Sequence, residues 1–172
     1  KYGKVNLVYD GSDNGFTSLP DPDTLPVSSD ASYLHLTSNE TIGGIQWQRF
    51  PDTGDVPIVA DMSSDIASRH IPISRFGLIY AGAQKNLGPA GVTLVIISDE
   101  MLQRSSEELP AYLSYKTHAD KNSLYNTPPV FAIYVMNKVL NWVRKEGGLD
   151  EMERRTKAKS GAIYDAIAAS NG

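Results

Sequence analysis

Residues 77–98, GLIYAGAQKNLGPAGVTLVIIS, constrain the chain most. Two apolar runs, 77–81 and 92–97, flank a glycine-rich loop that holds a single lysine, Lys85. Short apolar runs bounded by Gly and Pro read as buried strands. A lysine between two such strands is unusual, because Lys is rarely buried without a partner or a chemical reason. Desolvation lowers the pKa of a buried lysine and frees its amine to attack a carbonyl, so the local reading is a Schiff-base lysine. The plain alternative is a turn lysine pointing at water. Gly82 and Gly88 bracket the lysine much as glycines do in phosphate loops, but that pattern, G-x-x-x-x-G-K-[ST], sets the lysine after the second glycine. Here Lys85 precedes Gly88, and Pro89 comes next, which excludes a nucleotide P-loop.

With 172 residues the chain is long enough for one ordinary domain with a real core, and 41% hydrophobic residues fit a globular protein. The net charge of −4 and the lack of a basic stripe argue against a nucleic-acid partner. No apolar run approaches the roughly 20 residues a spanning helix needs, and no basic-then-apolar start marks a secretory leader. The absence of cysteine excludes disulfides, thiolate metal sites and a Cys nucleophile within this stretch, and suits a cytoplasmic setting. His35, His70 and His118 are scattered without paired spacing, so no metal site is expected. Arg154-Arg155 reads as a solvated helix face. The chain starts at Lys1 rather than Met and stops at Asn171-Gly172, where a helix C-cap is expected, so both ends read as cut.

Taken in order, residues 4–9 (KVNLVY) read as a strand and 10–30 as loop with at most one helical turn. Residues 32–37 read as the next strand. Polar residues and then Gly43-Gly44 follow it, as suits a strand-end loop that approaches a ligand. Residues 45–50 form a further short strand on this reading, and 58–60 another that ends at Asp61. An acid at the end of a buried strand is where α/β sheets place functional groups; the alternative is that Asp61 or Ser63 simply caps a helical turn. The linker 63–76 allows only a short crossover helix. A brief helix at 99–103 precedes a polar, irregular stretch at 104–123. Thr127 is expected to cap a long helix from Pro129 to about Glu146, apolar nearly all round and so mostly buried. Gly147-Gly148 ends it, and a second helix runs from about Leu149 to Ser170. The order predicts an α/β fold with a mixed sheet.

Asp61, Lys85 and the Asn126-Thr127 helix start together supply a carboxylate, an amine and phosphate donors. Those are the parts pyridoxal phosphate needs. VADMSSDIASRHIPISRFGLIYAGAQKNLGPAGVTLVI (59–96), SNETIGG (38–44) and YNTPPVF (125–131) resemble, in the right order, the phosphoserine aminotransferases, a branch of the pyridoxal-phosphate-dependent class V aminotransferases. The resemblance covers essentially the whole chain and marks it as an internal segment of such an enzyme.

The resemblance implies part of the large cofactor-binding domain of a fold-type I aminotransferase, a mixed, mostly parallel sheet flanked by helices, over residues 1–148. Residues 149–172 would then form a helix leading toward a small C-terminal domain that lies outside the chain. It also implies that Lys85 bonds the cofactor and shuttles a proton, that Asp61 pairs with the pyridine nitrogen, and that Thr41 and Gln84 contact the cofactor. Asn126 and Thr127 would reach the phosphate bound by the partner subunit of a homodimer with shared sites. The implied reaction moves the amino group of glutamate to 3-phosphohydroxypyruvate. The family's phosphate loop, ring-stacking tryptophan and substrate arginines fall outside these residues, so the isolated segment is expected to be weak or inactive. Another class V enzyme, or a non-catalytic truncated domain, stays open as an alternative.

Overall fold

The computed structural model describes residues 3–170. Its centre is a four-stranded sheet in the order β1-β4-β5-β6: β1 is Leu34–Thr37, β4 Ile58–Asp61, β5 Phe76–Gly82 and β6 Thr93–Ile97. A small antiparallel hairpin, β2 (Asn39–Glu40) and β3 (Ile45–Gln46), sits between β1 and β4 in sequence. Strands β1, β4 and β5 run parallel, and β6 returns antiparallel to β5. The sheet is therefore mixed and mostly parallel, and helices flank it: α1 (Asp99–Gln103), α2 (Tyr115–Asp120), α3 (Val130–Lys145) and α4 (Gly148–Ala169).

Register decides which side chains share a face, because successive residues of a strand alternate. Leu36, Ala60, Ile79 and Ile96 are aligned across the sheet. On that face Leu36, Ala60 and Ile79 join Trp47, Phe50, Ile58, Met62, Ile66 and Leu87 in one core cluster, against which Ile96 and, from α3, Met136 and Leu140 pack. The next row, Thr37, Asp61 and Tyr80, belongs to the opposite, more open face. Alternation in the sequence thus separates the covered face from the face that carries polar groups at its strand ends.

The β5–β6 connection is tight. The amides of Leu87 and Gly88 both bond the Ala83 carbonyl, at 3.0 and 2.8 Å. Gly88 has φ +150°, a backbone conformation that L side chains rarely adopt, and it brings the loop against the Met136 backbone of α3. Gly147 (φ +114°) ends α3 and turns the chain into α4. The helix pair is then tied by Arg155, which bonds Glu146 and Glu151 and lies over the Trp142 ring.

Several expectations need correction. Residues 4–9 are not a strand: Val5 and Leu7 are exposed and no sheet edge pairs with them. The strand expected at 45–50 is only Ile45–Gln46, since the chain leaves its hairpin partner there to bury Trp47 and Phe50. The linker 63–76 holds turns and the 3-10 turn Ile73–Arg75 rather than a helix. Residues 10–30 contain two 3-10 turns, Ser12–Asn14 and Pro22–Thr24, instead of at most one. The stretch 104–123 is not irregular throughout, because it contains the 3-10 turn Ala111–Leu113 and α2. In α3 only Ala132 is buried, while Phe131, Tyr134 and Trp142 are exposed, because one stripe of the helix meets the core and α4 covers it only in part, Arg155 lying over the Trp142 ring. Pro129, not Thr127, is the N-cap residue, and no side chain caps the helix. The C-cap expected at Asn171-Gly172 lies outside the described residues.

Candidate functional site

The expected site residues gather at the carboxyl ends of the parallel strands, where side chains leaving a sheet meet the loops that follow. Asp61 closes β4 and is half-buried. Its Oδ1 accepts the Ser63 amide at 2.8 Å, an Asx-type turn that fixes the carboxylate where the chain leaves the sheet. No helix starts there, so Asp61 shapes a turn rather than a helix cap.

Lys85 lies just past β5. Ala83 and Leu87, both buried, pin the two ends of its turn, so Gln84, Lys85 and Asn86 face outward. Asn86 Nδ2 donates to the Ile66 carbonyl at 3.0 Å and ties the turn to the loop after β4. Lys85 Nζ donates to Thr41 Oγ1 at 2.7 Å, which joins this turn to the tip of the β2–β3 hairpin. The lysine is therefore not buried between strands as the sequence suggests. Small and aliphatic neighbours take the buried places and leave the amine exposed. Among the described residues Lys85 makes no ion pair; its one recorded partner is a hydroxyl.

Gln84 completes this edge. A Cβ on Gly82 would fall 2.6 Å from Gln84 Oε1, so the amide folds back over the end of β5 in space that only glycine leaves open. The Gly82 amide in turn donates to Ser63 Oγ at 3.0 Å. Thr41, Asp61, Gln84 and Lys85 thus share one end of the sheet. Asn126 and Thr127 precede α3, and Asn126 Nδ2 donates to the Thr127 carbonyl at 3.1 Å.

Two groups behind the site escape sequence reasoning. Buried Asp65 accepts from Ser38 Oγ, from Gln46 Nε2 at 3.1 Å and from Arg69 Nη2 at 3.4 Å, locking the loop after β4 to the hairpin. On the open face His35 Nε2 lies 3.0 Å from the Tyr80 hydroxyl, with the two rings stacked. Burial raises the Tyr80 phenol above its ordinary pKa, and the neighbouring Asp61 charge raises it further. The available signal was alternation: His35 and Tyr80 are polar positions in otherwise apolar strands.

The model of the family "Aminotransferase class-V" matches residues 4–172. The chain belongs to the class-V aminotransferases. Its relatives within them are specific. The phosphoserine aminotransferase of Lysinibacillus sphaericus (strain C3-41) is 54% identical over 160 residues, which are 93% of this chain and 44% of that protein. The structure of phosphoserine aminotransferase from Bacillus circulans subsp. alkalophilus superimposes with a TM-score of 0.95 at 48% identity, over 99% of this chain and 47% of that one. A crystal structure of PLP-bound phosphoserine aminotransferase from Trichomonas vaginalis gives a TM-score of 0.83 at 41% identity, over 89% of this chain and 45% of that one. This class-V aminotransferase chain therefore has the fold of those enzymes, and it spans about half the length of the curated relatives it matches. No helix among its described residues is long and apolar enough to cross a membrane.

Proposed function

We propose that the chain belongs to a phosphoserine aminotransferase dependent on pyridoxal phosphate. Such an enzyme moves the amino group between glutamate and 3-phosphohydroxypyruvate, giving O-phospho-L-serine and 2-oxoglutarate, a step of serine biosynthesis in the cytoplasm. The observation that carries this reading is the Lys85 amine, held 2.7 Å from the Thr41 hydroxyl at the sheet end where Asp61 closes β4. The phosphoserine aminotransferases at 54% and 48% identity support it.

The residues fit the cofactor by their chemistry. An exposed amine whose recorded partner is a hydroxyl is not locked in a salt bridge, so a carbonyl can reach it. A carboxylate fixed by a backbone amide suits a protonated ring nitrogen. When bound, pyridoxal phosphate supplies an aldehyde for covalent attachment and a pyridinium ring that withdraws electrons from the substrate α-carbon. Lys85 would hold the cofactor through Nζ and, once released, carry a proton at that atom. Asp61 would accept the hydrogen bond of the ring nitrogen and keep its proton in place. The Thr41 hydroxyl and the Gln84 amide would orient the cofactor from the hairpin and from the end of β5.

Asn126 and Thr127 are assigned to the phosphate of a cofactor bound by a second copy, in a homodimer with shared sites. Residues 1–148 are assigned to the large cofactor-binding domain, and 149–172 to the helix that leads toward a small C-terminal domain. The test is the visible absorption spectrum of the full-length enzyme with pyridoxal phosphate, with Lys85→Ala alongside, followed by an amino-donor assay. A borohydride-trappable band lost in the variant, with O-phosphoserine used in preference to alanine, is expected. Identical spectra, or a preference for alanine, overturn the proposal.

A further inference from the structure

Asp61 does not stand alone on the open face. Its register partner in β5 is Tyr80, so the two side chains leave the same face of adjacent parallel strands, about 4.8 Å apart. One strand beyond Asp61, His35 of β1 reaches over Val59, its own register partner, to Tyr80: Nε2 lies 3.0 Å from the hydroxyl and the rings stack at a centroid distance of 6.0 Å. The Tyr80 phenol is thus flanked by an imidazole and a carboxylate. Tyr33 and Tyr115 are the other titratable groups that act on it.

An ionised carboxylate only accepts hydrogen bonds, and a phenol has one proton to give. If Tyr80 gave that proton to His35, its oxygen lone pairs would face the Asp61 charge. The favourable arrangement is the reverse: the Nε2–H tautomer of His35 donates to the Tyr80 oxygen, and Tyr80 points its proton at Asp61. Such a chain polarises along its length and strengthens the terminal bond to the anion. The raised pKa of Tyr80 agrees, since a phenol beside a negative charge keeps its proton.

We infer that His35 and Tyr80 are positioning residues that aim the Asp61 carboxylate, through a hydrogen-bond chain from His35 to Tyr80 to Asp61. This rests on the proposed function, in which Asp61 keeps the cofactor's ring nitrogen protonated. Nothing in the chain's core packing requires it, because the pair lies on the face away from the main cluster.

The experiment takes the full-length enzyme loaded with pyridoxal phosphate carrying nitrogen-15 in its ring. The ring-nitrogen chemical shift is followed against pH, which reads the proton directly and needs no turnover. Asp61→Asn is expected to lower the pH at which the ring nitrogen loses its proton. Tyr80→Phe and His35→Leu should each lower that midpoint by about one unit or more, a tenfold loss of proton affinity. His35→Gln, whose side-chain amide can still donate to the phenol, should recover at least half of the shift. Wild-type midpoints in Tyr80→Phe and His35→Leu, with a lowered midpoint in Asp61→Asn, overturn the inference and leave the proposed function standing. A wild-type midpoint in Asp61→Asn as well overturns the role given to Asp61 in the proposed function. Should Tyr80→Phe fail to fold, the comparison of His35→Leu with His35→Gln decides, since His35 is exposed: equal midpoints overturn the inference.

Discussion

Replacing Asp65 by Ala is expected to lower the unfolding free energy by about 3 kcal/mol. Asp65 is 6% exposed and accepts from three donors, Ser38, Gln46 and Arg69, which lose unequally. Ser38 is fully buried but has the Asp61 carbonyl as a second acceptor at 3.1 Å, so its hydroxyl is not orphaned. Gln46 is half-buried and turns to water. Arg69 has no such escape: its side chain is 14% exposed, its Nε already lacks a partner, and it would keep only the Trp47 carbonyl at 2.7 Å. Removing one member of a buried pair costs about 3–5 kcal/mol because the other charge stays behind. The bond to Trp47 and the remaining access to water place Arg69 at the lower end. Asp65→Asn keeps acceptors but loses the charge, and should cost about 1–2 kcal/mol. Arg69→Met added to Asp65→Ala removes the orphaned charge, so the two changes should couple by about 1–2 kcal/mol rather than add. Urea unfolding followed by the fluorescence of Trp47, itself buried in the adjoining cluster, measures all five proteins: wild type, Asp65→Ala, Arg69→Met, their double variant and Asp65→Asn. A loss below about 1 kcal/mol for Asp65→Ala, or strict additivity in the cycle, refutes the reasoning.

Gly88→Ala should destabilise by about 1–3 kcal/mol, because φ +150° is strained for any residue with a side chain; thermal unfolding with a wild-type midpoint counts against it. Arg154 and Arg155 hold the Glu151 carboxyl at about 2, below its ordinary value of 4.5. A lowered carboxylate pKa stabilises the folded state above the unfolded value and loses that contribution as pH falls through the folded one, so the α3–α4 hairpin should weaken between about pH 4.5 and 2. Far-UV circular dichroism with Glu151→Gln alongside checks this: the variant should lose the acid dependence, added salt should weaken it, and identical acid profiles would contradict it.

Strand boundaries near the site were legible because they follow from apolar runs. The runs at 58–60, 77–81 and 92–97 are β4, β5 and β6 to within one residue at each end, and Asp99–Gln103 is α1 as expected. Residues 4–9 carry the same local pattern and form no strand, because a strand is a pairing and they pair with neither edge strand, β1 nor β6. Helix α2 was invisible for the opposite reason. YKTHAD has weak intrinsic helix propensity, and the turn is held by contacts made elsewhere, His118 to the Tyr112 carbonyl and to the rings of Tyr112 and Tyr125. Asp61 and Lys85 could be picked out one by one, since each stands out against its apolar neighbours. The Thr41 contact to Lys85 spans 44 residues and the Ser38–Asp65 bond 27, and no local pattern encodes either. The burial argument for Lys85 failed at the same level: sequence shows that a turn lies between two strands, not which of its side chains point inward.

Helix α3 shows where the proposed assembly and the packing meet. Its sequence is apolar on nearly every side, which asks for neighbours all round. The structure supplies the core on one side, through Met136 and Leu140, and α4 near Trp142, and it leaves Val130, Phe131 and Tyr134 more than half exposed. That uncovered first turn closely follows Asn126 and Thr127, the two residues assigned to the cofactor of a second copy. A segment that served a cofactor bound by a second copy would have to lie against that copy. Apolar side chains beside it are then what the contact requires, since polar groups reaching across an interface need a desolvated surround to hold them. One arrangement therefore accounts both for the role assigned to Asn126 and Thr127 and for the uncovered apolar turn. Phe131→Asp tests it: sedimentation should show smaller particles, and cofactor affinity should fall although Lys85, Asp61 and Thr41 are intact. A variant with unchanged mass and unchanged affinity would separate the two observations and remove this support for shared sites.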